Sequence, residues 1–127
     1  MIPKFRAWLK KEQKMDNEID HISWLEDELY CIGDGITYMV LAEDLILMQS
    51  TELKDKNGKE IFEGDIVDYK GRKAVVKWHG SYASFIYRFV NELQERVSEW
   101  HPLFLAYYHF ETIGNIYENP ELLEDCK

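Results

Sequence analysis

The chain lacks the features that mark membrane, secreted and disulfide-stapled proteins. No apolar run approaches the roughly 20 residues that a membrane span requires, and the N-terminus has no long apolar segment of the signal-peptide kind. The two cysteines, Cys31 and Cys126, stand far apart and form no CxxC pattern, so we expect two free thiols in a reducing compartment. These absences predict a cytoplasmic protein.

Basic residues are missing from a long stretch of the chain. Residues 15–50 hold nine acids and neither Lys nor Arg, and the whole chain has a net charge of −9. An acidic surface repels the phosphate backbone and releases few counterions on contact with it. The charge pattern therefore argues against duplex DNA as a partner.

The sequence also lacks a convincing catalytic or metal-binding constellation. It has no phosphate-cradling glycine loop, no Gly-x-Ser-x-Gly and no HExxH. A metal site from His101 and His109 with Glu99 or Glu111 is conceivable, but their spacing alone does not define one. We expect a protein that is not an enzyme and that has no cofactor and no metal.

Apolar residues make up 46% of the 127 residues and aromatics 14%, a bias that suits a packed, sheet-rich fold. Short alternating segments predict strands, with Phe5, Ala7 and Leu9 on one face of the first. The predicted strands cover residues 5–9, 36–41, 45–49, 66–69, 73–78, 82–90 and 110–117. Residues 10–17 are predicted to form a turn, and Asn119-Pro120 to start a short terminal helix that runs through Leu123.

Two segments fit both a helix and a strand. In residues 20–30, Ile22, Leu25 and Leu29 fit helical spacing, whereas Trp24 and Tyr30 also suit a strand. Residues 91–101 fit either a capped helix or a second hairpin, and a proline ends either element. The choice stays open for both segments.

The most informative stretch is 51–69, which contains two turn-forming pairs. Asn57-Gly58 is well suited to a two-residue type I′ hairpin turn, in which both central residues need positive φ. Gly64-Asp65 precedes the β-branched Ile66-Val67, and a short acid there is expected to bond its own backbone and fix the turn into a strand. We assign these four turn residues conformational roles.

Short strands and glycine turns predict a mainly β fold with a small barrel and one or two short helices. The entry Gly64-Asp65-Ile66-Val67, followed by a hairpin turning at Lys70-Gly71, is common at the first strand of SH3-like barrels. We place a smaller N-terminal β portion at 1–50 and an SH3-like barrel region at 51–127; the two share one core or form separate subdomains.

Three blocks of the sequence resemble the YopX family. They are Lys4-Phe5-Arg6-Ala7-Trp8, the segment from Thr51 to Val67, and the segment from Ile113 to Leu123. The resemblance implies a phage or prophage protein of unknown biochemical role, mostly β, with an SH3-like C-terminal half and no established catalytic residues. It also makes a homo-oligomer plausible. Family members often have Gly where this chain has Glu52, which leaves the backbone at that position open.

The aromatic side chains are the best candidates for a partner surface. They are more numerous in the C-terminal half than one face of a small barrel can hide, and an exposed group of them would mark a protein contact. The candidates are Trp78, Tyr82, Phe85, Tyr87, Trp100, Tyr107 and Tyr108.

We therefore predict a non-enzymatic accessory protein that acts by contact with itself or with a host or phage protein. The alternative is a role tied to nucleic acid. That role is either single-strand binding or mimicry of DNA by the acidic residues 15–50 against a host protein.

Overall fold

A computed structural model describes residues 4–19, 21–25, 29–33, 37–90 and 100–123. The described chain is mainly β, as predicted, with a few short 3₁₀ helices. It divides into two units, Met1–Ser50 and Thr51–Lys127.

The N-terminal unit contains three antiparallel strands in the order β2-β1-β6 and a separate three-stranded meander. Strand β1 pairs with β2 on one side and with the first half of β6 on the other, and β4 lies between β3 and β5. A small core of Ala7, Leu9 and Leu45 joins β1 to β6. The strands are β1 Phe5–Leu9, β2 Lys14–Ile19, β3 His21–Leu25, β4 Leu29–Gly33, β5 Thr37–Leu41 and β6 Leu45–Lys54.

One sequence prediction needs correction in this unit, and one open choice is decided. The turn predicted for residues 10–17 is shorter, because β2 already begins at Lys14 and pairs with Leu9. The described part of residues 20–30 takes the strand alternative, since β3 and β4 pair antiparallel from His21↔Gly33 to Leu25↔Leu29. Pairing with neighbouring strands decides such ambiguous apolar segments, and this information is not local to them.

The C-terminal unit is built on a five-stranded antiparallel sheet in the order β11-β10-β9-β8-β12, which curls into a half-barrel. The SH3-like assignment stays a prediction with which this curl is consistent. The strands are the second half of β6, β7 Glu60–Phe62, β8 Asp65–Tyr69, β9 Arg72–His79, β10 Ser84–Phe89, β11 His101–Pro102 and β12 Glu111–Asn115. The 3₁₀ helices are Gly80–Tyr82, Leu103–Leu105, Tyr107–His109 and Pro120–Leu123.

Both faces of this sheet are covered near its centre. On one face Ala74 and Val76 of β9 join the main core, whose other members are Ile61, Val67, Phe89, Leu103 and Phe110. On the opposite face Val75 packs with Ile66 and Val90 beneath the C-terminal 3₁₀ helix. The strand alternation therefore sends successive β9 side chains into two different apolar clusters.

The type I′ geometry predicted for Asn57-Gly58 is wrong, and it occurs instead at the hairpin turn Lys70-Gly71. Lys70 and Gly71 both have positive φ, 53° and 85°, so this two-residue loop has type I′ character. At Asn57-Gly58 only Gly58 is left-handed, with a φ of 82°. There Asp55 N–H donates to Lys59 O and Gly58 N–H donates to Asp55 O, so a three-residue loop replaces the predicted type I′ turn.

The Gly64-Asp65 turn is fixed by a side chain. Gly64 has a φ of 89°, and the buried Asp65 carboxylate accepts a hydrogen bond from Phe62 N–H at 2.8 Å. Asn115 plays a similar part after β12, since its Oδ1 accepts from Tyr117 and Glu118 N–H groups. These polar side chains satisfy local backbone donors.

The second ambiguous segment lies mostly outside the described residues, which resume at Trp100. His101–Pro102 forms the short strand β11 and pairs with Ile86 and Tyr87 of β10. Pro102 thus ends a strand at the sheet edge, where its missing N–H costs no ladder hydrogen bond.

Candidate functional site

The connection between β11 and β12, Leu103–His109, consists of two successive 3₁₀ turns. Ala106 N–H donates to Leu103 O at 2.9 Å, and His109 N–H donates to Ala106 O at 3.0 Å. Leu103 and Phe110 bracket the connection as core residues with 0% and 2% exposure. The backbone is therefore pinned at both ends and bonded in between.

This pinned connection presents large apolar side chains to solvent. Phe104 is 58% exposed, Leu105 60% and Tyr108 54%. We refer to these three side chains as the apolar patch. Each presents roughly 100 Å² of surface, so the patch reaches about 300 Å², the size at which exposed apolar surface on a monomer is often functional.

A buried carboxylate holds the C-terminal end of the connection. Asp55 Oδ1 accepts hydrogen bonds from Asn57 and Lys59 N–H, and Oδ2 accepts one from Thr112 N–H at 2.8 Å. Lys56 N–H also donates to Phe110 O. We call the three hydrogen bonds to the carboxylate the Asp55 clasp, because they tie the tip of the β6–β7 hairpin to β12.

The Asp55 clasp shifts the proton affinity of its carboxyl group. Burial by itself would raise the pKa of Asp55, but hydrogen bonds from the backbone of Thr112, Lys59 and Asn57 outweigh it. The pKa of Asp55 is therefore held below its ordinary value of 3.8. The carboxylate is charged near neutral pH and acts as a structural acceptor.

The seven aromatic residues predicted as a partner surface fall into four environments. Phe85, Tyr87 and Tyr107 are half-buried and pack against the main core. Trp78 is 45% exposed and contacts Phe85 edge-on, with ring centroids 4.9 Å apart. The remaining three are Tyr82 and Trp100, which contact each other, and Tyr108 of the apolar patch.

Tyr82 and Trp100 form a ring cluster with His79, in which Tyr82 remains 64% exposed. The three ring centroids lie 4.8 to 4.9 Å from one another, and Nδ1 of His79 is buried without a hydrogen-bond partner. Rings this close leave no room for a ligand between them. Because His79 and Trp78 are consecutive in β9, they lie on opposite faces of the sheet, and the aromatic candidates do not form one continuous surface.

Basic and aromatic side chains contact one another next to Tyr108 and around Tyr69 and Phe89. His109 lies next to Tyr108, with ring centroids 4.2 Å apart, and also contacts Tyr69 at 5.5 Å. Lys70 Nζ lies 5.3 Å from the centre of the Tyr69 ring, and the Arg72 guanidinium lies 3.6 Å from the centre of Phe89. Burial raises the pKa of Tyr87, an effect that the nearby positive charge of Arg72 partly offsets.

The acids of the neighbouring strands lie on the other face. Asp68 of β8 pairs with Glu111 of β12. Val67, the residue before Asp68, faces the main core, so Asp68 and Glu111 face the other side of the sheet. Strand alternation thus places Asp68 and Glu111 on the opposite face from Arg72, while the Asp68 carboxylate accepts a long bond of 3.4 Å from Gly71 N–H in the turn.

The conceivable metal site does not form within the described residues. No three His, Cys, Asp or Glu side chains within the described ranges are placed to hold an ion. His101 stacks on Tyr87 at 5.1 Å, and His109 lies with Tyr69 and Tyr108. Glu99 lies outside the described residues.

No helix in the described part of the chain combines the length and apolar character that a membrane span needs.

Sequence reasoning missed Phe104 and Leu105, two members of the apolar patch. In Leu103-Phe104-Leu105-Ala106 every residue is apolar, so hydrophobicity cannot tell the buried Leu103 from its two exposed neighbours. A weak signal was present, because residues 100–110 contain no Lys, Arg, Asp or Glu in a chain that is 31% charged. This uncharged segment, which contains Pro102, distinguishes the connection from the rest of the chain.

The chain matches the family model described as YopX protein over residues 4–124. It is similar to the crystal structure of protein EF1440 from Enterococcus faecalis, with 30% identity, a TM-score of 0.55 and coverage of 98% of this chain and 99% of that one. It is also similar in fold to protein yopX from Bacillus subtilis, with 20% identity, a TM-score of 0.59 and coverage of 97% of each chain. No curated protein matches the sequence.

Proposed function

Because the chain belongs to the YopX family, whose function is unknown and which has no known catalytic activity, we propose that it works by binding other proteins. In this proposal it is a non-enzymatic accessory protein of a phage or prophage, and it contacts a host protein, a phage protein or further copies of itself. The observation that carries the proposal is the exposure of Phe104, Leu105 and Tyr108 on a pinned backbone.

Rigid presentation favours binding. Ordering a flexible loop on association costs free energy, whereas the two 3₁₀ turns and the buried ends at Leu103 and Phe110 already hold this connection in place. Aromatic anchors surrounded by polar groups are also the usual centre of a protein interface. Tyr108 beside the exposed His109 fits that composition.

A pull-down with matched baits tests the proposal. Tagged wild-type protein, Phe104→Ser/Leu105→Ser and Ile113→Thr are incubated with bacterial lysate, each in nuclease-treated and untreated halves. Ile113 is 37% exposed on β12, so its variant controls for the loss of an exposed apolar group elsewhere. We expect a protein that is enriched by wild type and by Ile113→Thr, lost with the patch variant, and insensitive to nuclease.

Two results would count against the proposal. Identical protein sets from all three baits would remove the apolar patch from any function. Enrichment that disappears on nuclease treatment would favour the role tied to nucleic acid.

A further inference from the structure

We infer that the Asn57-Gly58 pair at the tip of the β6–β7 hairpin is a site of spontaneous deamidation, and that the Asp55 clasp controls its rate. Asn57-Gly58 is the only Asn-Gly pair in the sequence, and both residues are exposed. A Cβ atom built on Gly58 would meet nothing within 4 Å. The peptide bond between the two residues thus lies open to solvent, with no side chain on Gly58 to shield its nitrogen.

The reaction joins the two residues and releases ammonia. The backbone nitrogen of Gly58 attacks Cγ of the Asn57 carboxamide, the new N–Cγ bond closes a succinimide ring, and the Cγ–Nδ2 bond breaks. Nδ2 leaves as ammonia and takes the proton that Gly58 N–H has lost. Water then opens the ring at either carbonyl carbon and gives Asp or isoaspartate, in which the main chain runs through Cβ and Cγ. Asparagine is accordingly counted among the thermolabile residues.

The folded hairpin restrains the attacking nitrogen. Gly58 N–H donates to Asp55 O at 2.9 Å, so its proton is engaged in the turn. The N–H groups of Asn57 and Lys59 both donate to Asp55 Oδ1 at 2.9 Å, which fixes the backbone on either side of the reacting bond. Cyclisation requires that the Gly58 bond breaks and that the Asn57 side chain reaches Gly58 N. The residue that makes these bonds therefore sets how often the tip opens far enough to react.

Isoaspartate would in turn loosen the Asp55 clasp. It inserts a methylene carbon into the main chain between the N–H groups of Asn57 and Lys59, which now donate to the same carboxylate oxygen. The second oxygen of that carboxylate accepts from Thr112 N–H, so a displaced carboxylate also releases β12. Because ammonia is lost, the change runs in one direction, and a converted copy keeps less of the anchorage that holds the exposed connection.

Rates of deamidation in the full-length protein test the inference. Wild type, Asp55→Ala, Val75→Ala and Asn57→Gln are incubated at mildly alkaline pH, and the replacement of NH₂ by OH at residue 57 is quantified by peptide mass spectrometry. Val75 is 2% exposed and packs in the cluster opposite the main core, so its variant lowers global stability with the clasp residues intact. Wild type in urea gives the rate of the unrestrained chain.

The expected rates differ by the restraint that each protein keeps. Native wild type should deamidate at least about tenfold more slowly than the chain in urea, the factor that one hydrogen bond to a charged group contributes. Folded Asp55→Ala should react about tenfold faster than native wild type, and Val75→Ala within about twofold of it. Asn57→Gln should not react on this timescale, because its longer side chain cyclises less readily.

Hydrogen exchange tests the consequence of the reaction. The isoaspartate form, purified by chromatography, should exchange the amide hydrogen of Thr112 at least about fivefold faster than unconverted protein, because that N–H has lost its fixed acceptor. Asn57→Asp is the matched control. It carries the same added charge on an unaltered main chain, so its Thr112 amide should exchange within about twofold of wild type.

Three results would overturn the inference. They are equal rates for native and urea-unfolded wild type, an Asp55→Ala rate no higher than that of Val75→Ala, and an isoaspartate form whose Thr112 amide exchanges like that of Asn57→Asp. None of these measurements uses a binding partner, so such results would leave the proposed function standing.

Discussion

The carboxylate of Asp55 accepts a hydrogen bond of 2.8 Å from the backbone N–H of Thr112, although 57 residues separate the two in sequence. The same carboxylate accepts from the N–H groups of Asn57 and Lys59 in its own hairpin. Asp55 is 5% exposed, so its carboxylate is satisfied by these bonds and has little contact with solvent. The backbone that ends the exposed connection is thus held by one side chain from a distant hairpin.

Removing the acceptor should therefore destabilise the protein. We expect Asp55→Ala to lower the free energy of unfolding by about 2 to 3 kcal/mol, because three N–H groups, that of the half-buried Thr112 among them, lose their buried acceptor. The measurement is urea unfolding followed by tryptophan fluorescence. Asp68→Asn is the matched control, since Asp68 makes only a long, exposed bond to Gly71 N–H and its loss should cost less than about 0.5 kcal/mol. Equal losses for the two variants would contradict the account.

The Asp55 clasp also predicts how stability depends on acid. The folded-state pKa of Asp55 lies below its ordinary value of 3.8, so its stabilisation is present above that value and is lost as pH falls through the folded pKa. We expect the free energy of unfolding of wild type to decline from about pH 5 downward, and the decline to be shallower in Asp55→Asn. Parallel curves for the two proteins would show that Asp55 is not responsible.

Glu52 occupies a conformation that suits glycine. Its φ is 63° inside β6. The backbone therefore has the left-handed conformation that suits Gly, the usual family residue at this position, although the residue here is Glu. Because a side chain costs about 1 kcal/mol in that region, we expect Glu52→Gly to stabilise the fold by about 0.5 to 1 kcal/mol. Glu52→Ala keeps the Cβ atom and should bring no gain. A destabilised glycine variant in thermal or urea unfolding would contradict this explanation.

Gly114 leaves no space for a side chain. A Cβ atom there would lie 2.6 Å from Oδ1 of Asn119 and 3.0 Å from Cδ1 of Leu122. Asn119 cannot easily move, because its Oδ1 also accepts from Asn115 N–H. We expect Gly114→Ala to cost about 1 to 3 kcal/mol. In a double-mutant cycle, Asn119→Ala should recover part of that loss, and strictly additive effects would exclude the clash as the cause.

How far the sequence determines the structure differs from element to element. The strand Phe5–Leu9 and the hairpin at Lys70-Gly71 follow from local alternation and turn chemistry, and both were predicted. The loop at Asn57-Gly58 was placed correctly but given the wrong geometry. There the Asp55 carboxylate bonds the N–H groups of Asn57 and Lys59, and this bonding favours a longer loop over a type I′ turn.

The candidate site was harder to predict, because it is defined by apolar side chains that are exposed, and hydrophobicity does not distinguish exposed from buried apolar residues. Leu103 and Phe104 are neighbours of similar hydrophobicity, yet one is fully buried and the other 58% exposed. Which of them meets the core depends on the 3₁₀ turns of the connection and on its anchorage at Phe110. Distant contacts such as the Asp55 clasp fix that anchorage, and local sequence patterns do not report them.

Binding through the apolar patch is the central claim, and the comparison of three tagged baits tests it most directly. Wild type, Ile113→Thr and Phe104→Ser/Leu105→Ser are each offered bacterial lysate together with untagged wild-type protein, and the captured proteins are quantified after nuclease treatment. The account predicts a protein, either a host or phage protein or the untagged copy, that the first two baits enrich and the third does not. Equal capture of every protein by the three baits, with all three folded, would contradict it.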